Sequence, residues 1–130
     1  MVMRIIGIDP GTGRLGFGVI EVMKGNKVRM ITGGVITTPA HTPLPVRLED
    51  IYDSLHQIIE ETKPDVMSIE KLFFAQNITT AISVSHARGV AMLVGQQTHL
   101  EIAEYTPLQI KQTLTGYGRA DKKQMQEMVR

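Results

Sequence analysis

The spacing of apolar residues changes once along the chain, near Pro45, and this change constrains the fold more than any other feature of the sequence. Before it, three runs rich in apolar and β-branched residues, at 4–9, 15–22 and 28–37, are separated by turn-forming residues such as Asp9-Pro10-Gly11. These runs predict three strands joined by short connections. After it, apolar residues recur on one helical side: Leu48, Ile51, Tyr52, Leu55, Ile58 and Ile59. That spacing predicts a long amphipathic helix.

Helices and strands alternate in the rest of the chain. The first helix ends before Pro64, because proline disfavours helical geometry in the residue that precedes it. The elements predicted beyond it are a strand at 66–70, a helix from Asn77 to about Thr98, a strand at 101–105, and helices that begin near 106 and 121. The order β-β-β-α-β-α-β-α-(α) predicts a single α/β domain over residues 1–130, with a mixed five-stranded sheet flanked by helices.

Composition excludes several kinds of chemistry. Hydrophobic residues make up 42% and charged residues 21% of the 130 residues, which is ordinary for a globular domain. No apolar run approaches the roughly 20 residues of a membrane span, and the beginning of the chain is typical of a strand rather than a secretory signal. The sequence has no cysteine, which excludes disulfides, thiolate metal sites and a cysteine nucleophile. We therefore expect a cytoplasmic domain whose hydrolytic chemistry, if any, depends on carboxylates, histidines or hydroxyls.

The net charge of +1 conceals an uneven distribution of charges. Residues 1–105 carry nine basic and eleven acidic side chains, whereas residues 106–130 carry five basic and two acidic ones. Such a basic stretch fits contact with phosphates, and a solvated helical face produces the same bias. The charges alone leave both interpretations open.

Two carboxylates stand at the ends of predicted strands. Asp9 ends the first strand and Glu70 ends the fourth. Ligands of open α/β sheets gather at the carboxyl ends of the strands, and two carboxylates held there repel each other unless a cation neutralises them. Taken singly, Asp9 fits a β-turn and Glu70 fits an exposed strand end. Taken together they favour a site for Mg²⁺ or Mn²⁺, which prefer oxygen ligands.

Two of the three phenylalanines are adjacent in a predicted loop. Phe73 and Phe74 follow Glu70 closely. One of them is expected in the core, and the other is a candidate for stacking on nucleic-acid bases or inserting between them.

Seven blocks of residues resemble the RuvC family of bacterial Holliday junction resolvases, the crossover junction endodeoxyribonucleases. They are Gly7-Ile8-Asp9-Pro10-Gly11, Gly16-Phe17-Gly18-Val19-Ile20, Ile69-Glu70-Lys71-Leu72-Phe73, Ala87-Arg88-Gly89-Val90-Ala91, Ile110-Lys111-Gln112, 116–122 and 126–130. The resemblance covers the whole chain, and several blocks in one order are more specific than any single motif. It implies the ribonuclease-H-like fold, in agreement with the order of predicted elements.

The resemblance implies a homodimer that binds four-way junction DNA and nicks two strands of like polarity by Mg²⁺-dependent hydrolysis, during recombination and repair. The positions that match the family's functional residues are Asp9 and Glu70 as catalytic metal ligands, Phe73 as the aromatic residue at the junction centre, and Lys111 and Lys122 near the scissile phosphate. The second predicted helix matches the dimer helix of the family. The branch-migration proteins RuvA and RuvB are the partners that the resemblance implies.

One part of the family pattern has no counterpart in this sequence. Two further acidic ligands of the family lie on a last helix, beyond the position equivalent to Arg130, and Asp121 and Glu127 do not match them. We therefore expect a C-terminally truncated chain with half of the metal site, weak Mg²⁺ binding and little or no cleavage of its own. A non-catalytic junction-binding module is the main alternative.

A sugar-kinase or actin-like ATPase is a second alternative. Its phosphate loop has the pattern Gly-Ile-Asp-x-Gly-Thr, which residues 7–12 also have. Such enzymes bind ATP between two lobes, and 130 residues suffice for one. The length of the chain therefore disfavours this interpretation.

Overall fold

A computed structural model describes residues 2–25, 27–70 and 78–105. Its elements in chain order are β1 (Met3–Asp9), β2 (Arg14–Met23), β3 (Lys27–Thr37), α1 (Leu44–Thr62), β4 (Val66–Glu70), α2 (Ile78–Gln97) and β5 (Glu101–Tyr105). The five predicted strands and the two long predicted helices are confirmed. The helices predicted near 106 and 121, and Asn77 at the start of the second helix, lie outside the described residues.

The five strands form one mixed sheet in the order β3-β2-β1-β4-β5. β1 with β2 and β2 with β3 pair antiparallel, whereas β1 with β4 and β4 with β5 pair parallel. The antiparallel strands follow one another through short turns, and the parallel strands are linked through α1 and α2, as parallel pairing requires. The predicted mixed sheet, antiparallel on one side and parallel on the other, is confirmed.

Both helices cover one face of this sheet. Alternate strand residues point to that face and are buried there: Ile6, Ile8, Leu15, Val19, Met67 and Ile69. They form one cluster with Ile51 and Leu55 of α1 and with Ala87 and Ala91 of α2. The small residues of α2 bring its backbone close to the sheet, since a Cβ added to Gly95 would lie 3.1 Å from Met67. Among the described residues, no helix is long and apolar enough to cross a membrane.

The opposite face of the sheet has one row without bulky side chains. Residues in register across all five strands form it: Gly33, Gly18, Gly7, Ser68 and Ala103. The methyl group of Met30 lies over one end of the row, 2.7 Å from where a Cβ of Gly33 would be. The row therefore leaves the backbone accessible on the face that the two described helices do not cover.

Candidate metal and DNA-binding site

Asp9 and Glu70 are brought together at one end of the sheet. Each is the last residue of its strand, and the parallel register of β1 and β4 runs from Ile5 with Val66 to Ile8 with Ile69. Asp9 and Glu70 are therefore the next residues in register, on strands about 4.8 Å apart. The sequence prediction that these two carboxylates lie close together agrees with this register.

Both carboxylates lie on the face opposite the helices. Ile8 and Ile69, which precede them, are buried against α1 and α2, and side chains alternate between the two faces along a strand. Asp9 and Glu70 are both exposed. On the other side of Asp9, β2 presents Gly16, whose missing Cβ would lie 3.5 Å from the Asp9 Cβ. A glycine at that position leaves space beside the carboxylate for a ligand.

The turn that follows Asp9 is held in place by hydroxyl groups. Thr12 is buried, and its carbonyl oxygen accepts a hydrogen bond of 2.5 Å from the Thr38 hydroxyl. The Thr12 hydroxyl lies 2.5 Å from the hydroxyl of Ser83, on α2. The Thr38 backbone N–H donates to the Gly13 carbonyl oxygen at 3.0 Å. The turn is thus hydrogen-bonded to α2 and to the residue that follows β3, and these bonds hold the chain directly after the carboxylate.

The end of β4 is also tied to α2. Arg88 donates a hydrogen bond of 3.2 Å from Nε to the Glu70 carbonyl oxygen and forms an ion pair with Glu104 of β5. Sequence reasoning included Arg88 in a family-like block but assigned no role to it. The sequence does contain an indication that Arg88 is special, because it is the only Lys, Arg, Asp or Glu between residues 78 and 97. A single charge in an otherwise uncharged helix indicates a specific partner.

The donor set suits a hard divalent cation. Asp9 and Glu70 offer carboxylate oxygens, which Mg²⁺ and Mn²⁺ prefer. Over the ranges that the structure describes, no group of three or more His, Cys, Asp or Glu side chains is placed to hold a metal ion. Two carboxylates supply at most four of the six oxygens of an octahedral Mg²⁺. Water or phosphate oxygens would have to complete the coordination.

The predicted DNA-contacting residues lie outside the described residues. Phe73 falls in the gap between β4 and α2, and Lys111 and Lys122 fall after β5. Their roles therefore stay predictions. The described part adds Arg14, an exposed side chain that begins β2 and is on the same face as Gly16 and Asp9. Sequence reasoning missed it because a single arginine at the start of a strand carries no pattern of its own.

The outer side of α2 carries two large apolar side chains beside the exposed His86. Ile82 and Leu93 are 51% and 50% exposed, and they lie on one line along the helix together with Gly89, since residues three or four apart share a face. The prediction that this helix is apolar on more than one side agrees with these exposures.

The chain is similar to one family of nucleases over almost its whole length. A family model described as "Crossover junction endodeoxyribonuclease RuvC" matches residues 5–130. Proteins of that name from Desulfitobacterium hafniense and Thermomicrobium roseum are 52% and 49% identical over 128 residues, which is 98% of this chain and 77% of each relative. A solved structure, "T. thermophilus RuvC in complex with Holliday junction substrate", superposes with a TM-score of 0.80 at 28% identity, covering 88% of this chain and 73% of that one.

Proposed function

Because the chain belongs to the RuvC family of crossover junction endodeoxyribonucleases, we propose that it binds four-way DNA junctions and that Asp9 and Glu70 hold the divalent metal ion needed for their cleavage. The family consists of metal-dependent nucleases that resolve Holliday junctions. For this chain the metal is Mg²⁺, with Mn²⁺ as a substitute. The products are symmetric nicks in two strands of like polarity.

The pairing of Ile8 with Ile69, directly before Asp9 and Glu70, supports the metal site most directly. Two exposed carboxylates on adjacent strands repel each other, and a divalent cation between them removes that repulsion. When bound, the cation lowers the pKa of a coordinated water and neutralises charge that develops on the phosphate. Asp9 precedes the turn that is hydrogen-bonded to Thr38 and Ser83. Glu70 is the last residue of β4, and its carbonyl oxygen is hydrogen-bonded to α2. The two side chains thus orient the ion relative to the scissile phosphate.

The proposed DNA contacts combine cations with one aromatic side chain. Lys111 and Lys122 neutralise phosphates near the cut, and Phe73 stacks on an unpaired base at the junction centre. We add Arg14 as a phosphate contact, because it is exposed at the same end and on the same face of the sheet as Asp9. Phosphate contacts position the DNA without reading its sequence, which suits recognition of a branched structure.

We further propose that the chain acts as a homodimer whose two copies meet through α2. Ile82 and Leu93 are large apolar side chains left half exposed, and Gly89 between them allows a second backbone to come close. Two copies related by a twofold axis would present two metal sites to two strands of like polarity. RuvA and RuvB as partners, and action in the bacterial cytoplasm, follow from the family resemblance.

Gel shifts and nicking assays on a synthetic four-way junction test the proposed function. The wild-type chain is expected to bind the junction in preference to linear duplex. Asp9→Asn and Glu70→Gln should keep this binding, since they leave the proposed phosphate contacts intact, and should lose metal-dependent nicking. Metal-dependent nicking by the wild type that is undiminished in both variants would contradict the assignment of Asp9 and Glu70.

A non-catalytic junction-binding module is the second candidate function. Within the described residues only two carboxylates come together, and this number favours weak metal binding and little cleavage. Junction binding without nicks in either Mg²⁺ or Mn²⁺ would support the module. Clear metal-dependent nicking by the chain would contradict it.

A further inference from the structure

Arg88 connects α2 to the ends of two neighbouring parallel strands. Its Nε donates to the Glu70 carbonyl oxygen at 3.2 Å, and its guanidinium forms an ion pair with the Glu104 carboxylate on β5. The Arg88 side chain is 18% exposed and that of Glu104 is 38% exposed, so the guanidinium is partly shielded from water. One partly buried guanidinium thus contacts a backbone acceptor on β4 and a charged acceptor on β5.

Arg88 contacts β4 just beyond the point where the pairing of β4 with β1 ends. The pairing of β1 with β4 extends to Ile8 and Ile69, and Glu70 is one residue further on. A peptide unit is planar, so an arginine that holds the Glu70 carbonyl also restricts rotation about the Glu70 Cα. This rotation sets the direction of the side chain.

The contact leaves the metal-facing side of the strand free. Arg88 approaches from the helix-covered face, where Glu104 also lies, whereas the Glu70 side chain follows buried Ile69 and projects to the opposite face. A second contact of the same helix, between Ser83 and Thr12, holds the turn after Asp9. Helix α2 therefore forms hydrogen bonds with the chain at both strand ends that carry the carboxylates.

We propose that Arg88 is a positioning residue for the metal site: it fixes the backbone of Glu70 and thereby keeps the Glu70 carboxylate directed towards the ion shared with Asp9. The inference rests on the proposed role of Glu70 as a metal ligand. Glu104 orients the guanidinium. Arginine is required because its planar fork serves two acceptors in fixed directions, whereas the single ammonium group of lysine does not.

Mn²⁺ binding followed by electron paramagnetic resonance measures this role without depending on cleavage. Wild type is expected to bind Mn²⁺, and Glu70→Gln is expected to abolish that binding. Arg88→Ala should weaken binding about tenfold, the lower end of the effect of residues that orient metal ligands. Arg88→Lys and Glu104→Gln should give intermediate losses, since each keeps one of the two interactions.

Tyr52→Phe is the matched control. It removes the hydrogen bond between Tyr52 on α1 and Gln97 at the far end of α2, and so it loosens the same helix away from the site. All affinities are compared at a temperature where thermal unfolding shows each variant to be folded. Tyr52→Phe is expected to keep the wild-type affinity for Mn²⁺.

The outcomes separate the inference from the function on which it rests. Wild-type affinity in Arg88→Ala, or an equal loss in Tyr52→Phe, would overturn the positioning role while leaving the metal site in place. Failure of wild type to bind Mn²⁺, or undiminished binding by Glu70→Gln, would overturn the metal site itself. If Arg88→Ala does not fold, Arg88→Lys and Glu104→Gln decide, and wild-type affinity in both overturns the inference.

Discussion

Substitution of Gly11 tests how closely the backbone is packed in the turn after Asp9. A Cβ at Gly11 would lie 2.3 Å from the Arg14 carbonyl oxygen, whereas a carbon and an oxygen in contact need about 3.3 Å. The Gly11→Ala variant must therefore move backbone by about 1 Å. The hydrogen bonds that Thr12 makes with Thr38 and Ser83 oppose this movement.

The magnitude follows from these contacts. Forcing an extra carbon into a filled space costs about 1–3 kcal/mol, and losing the hydrogen bond between Thr12 and Ser83 costs about 1 kcal/mol more. We expect Gly11→Ala to lower the free energy of unfolding by roughly 2–4 kcal/mol, and Tm by roughly 10 °C. The Mn²⁺ affinity should fall as well, because the displaced turn is attached to Asp9.

Urea unfolding followed by circular dichroism measures this loss, with Gly13→Ala as the control. A Cβ at Gly13 meets no atom within 4 Å, although Gly13 belongs to the same turn. Gly13→Ala is expected to remain within about 0.5 kcal/mol of wild type. Equal free energies of unfolding for the two variants would refute the reasoning about the turn.

Three further predictions concern the dimer, the DNA and the sheet. Leu93→Asp should convert a dimer into monomers in sedimentation velocity, because it places a charge on the outer side of α2, whereas Gln57→Asp, at an exposed position of α1, should not. A dimer that persists in Leu93→Asp contradicts docking through this side. Arg14→Gln should weaken junction binding and lower the slope of log affinity against log salt by about one. Lys27→Gln, at the other end of the same hairpin, should leave both the affinity and the slope unchanged. An unchanged slope for Arg14→Gln would show that Arg14 does not contact a phosphate. Glu21 is 7% exposed and pairs with Arg4 at 2.9 Å and Arg29 at 3.3 Å. Glu21→Gln should therefore lower the free energy of unfolding by about 1–2 kcal/mol. This loss is smaller than for a fully buried pair, because both arginines are partly exposed. Glu60→Gln, at an exposed position, is its control in urea unfolding, and equal stability of the two variants would show that the Glu21 ion pairs contribute nothing.

Local patterns in the sequence were sufficient to predict the elements. The alternation of apolar residues along β1 and β2 and the helical stripe of α1 each arise from burial on one face, which is a property of neighbouring residues. The proximity of Asp9 and Glu70 was predictable for a related reason, because parallel strands that both end in a carboxylate place these ends at one edge of the sheet.

Contacts between distant residues were not predictable in this way. The bond between Thr12 and Ser83 joins residues 71 apart in the chain, and the bond from Arg88 to Glu70 depends on how α2 crosses the sheet. The end of α1 differs in detail from the expectation. The helix does end before Pro64, but Lys63 takes left-handed geometry, with φ of 50°, rather than the extended geometry usual before proline. A left-handed residue is a common helix terminator, and here it directs the chain into β4.

Competition between branched and linear DNA for the chain tests the central claim most directly. A labelled four-way junction is bound to the protein in a gel shift, and unlabelled junction or linear duplex of the same sequence is added in equal mass. A junction resolvase is expected to lose the labelled complex to unlabelled junction and to retain it against linear duplex. Displacement by linear duplex as effective as that by the junction would contradict the claim that this chain recognises the four-way branch.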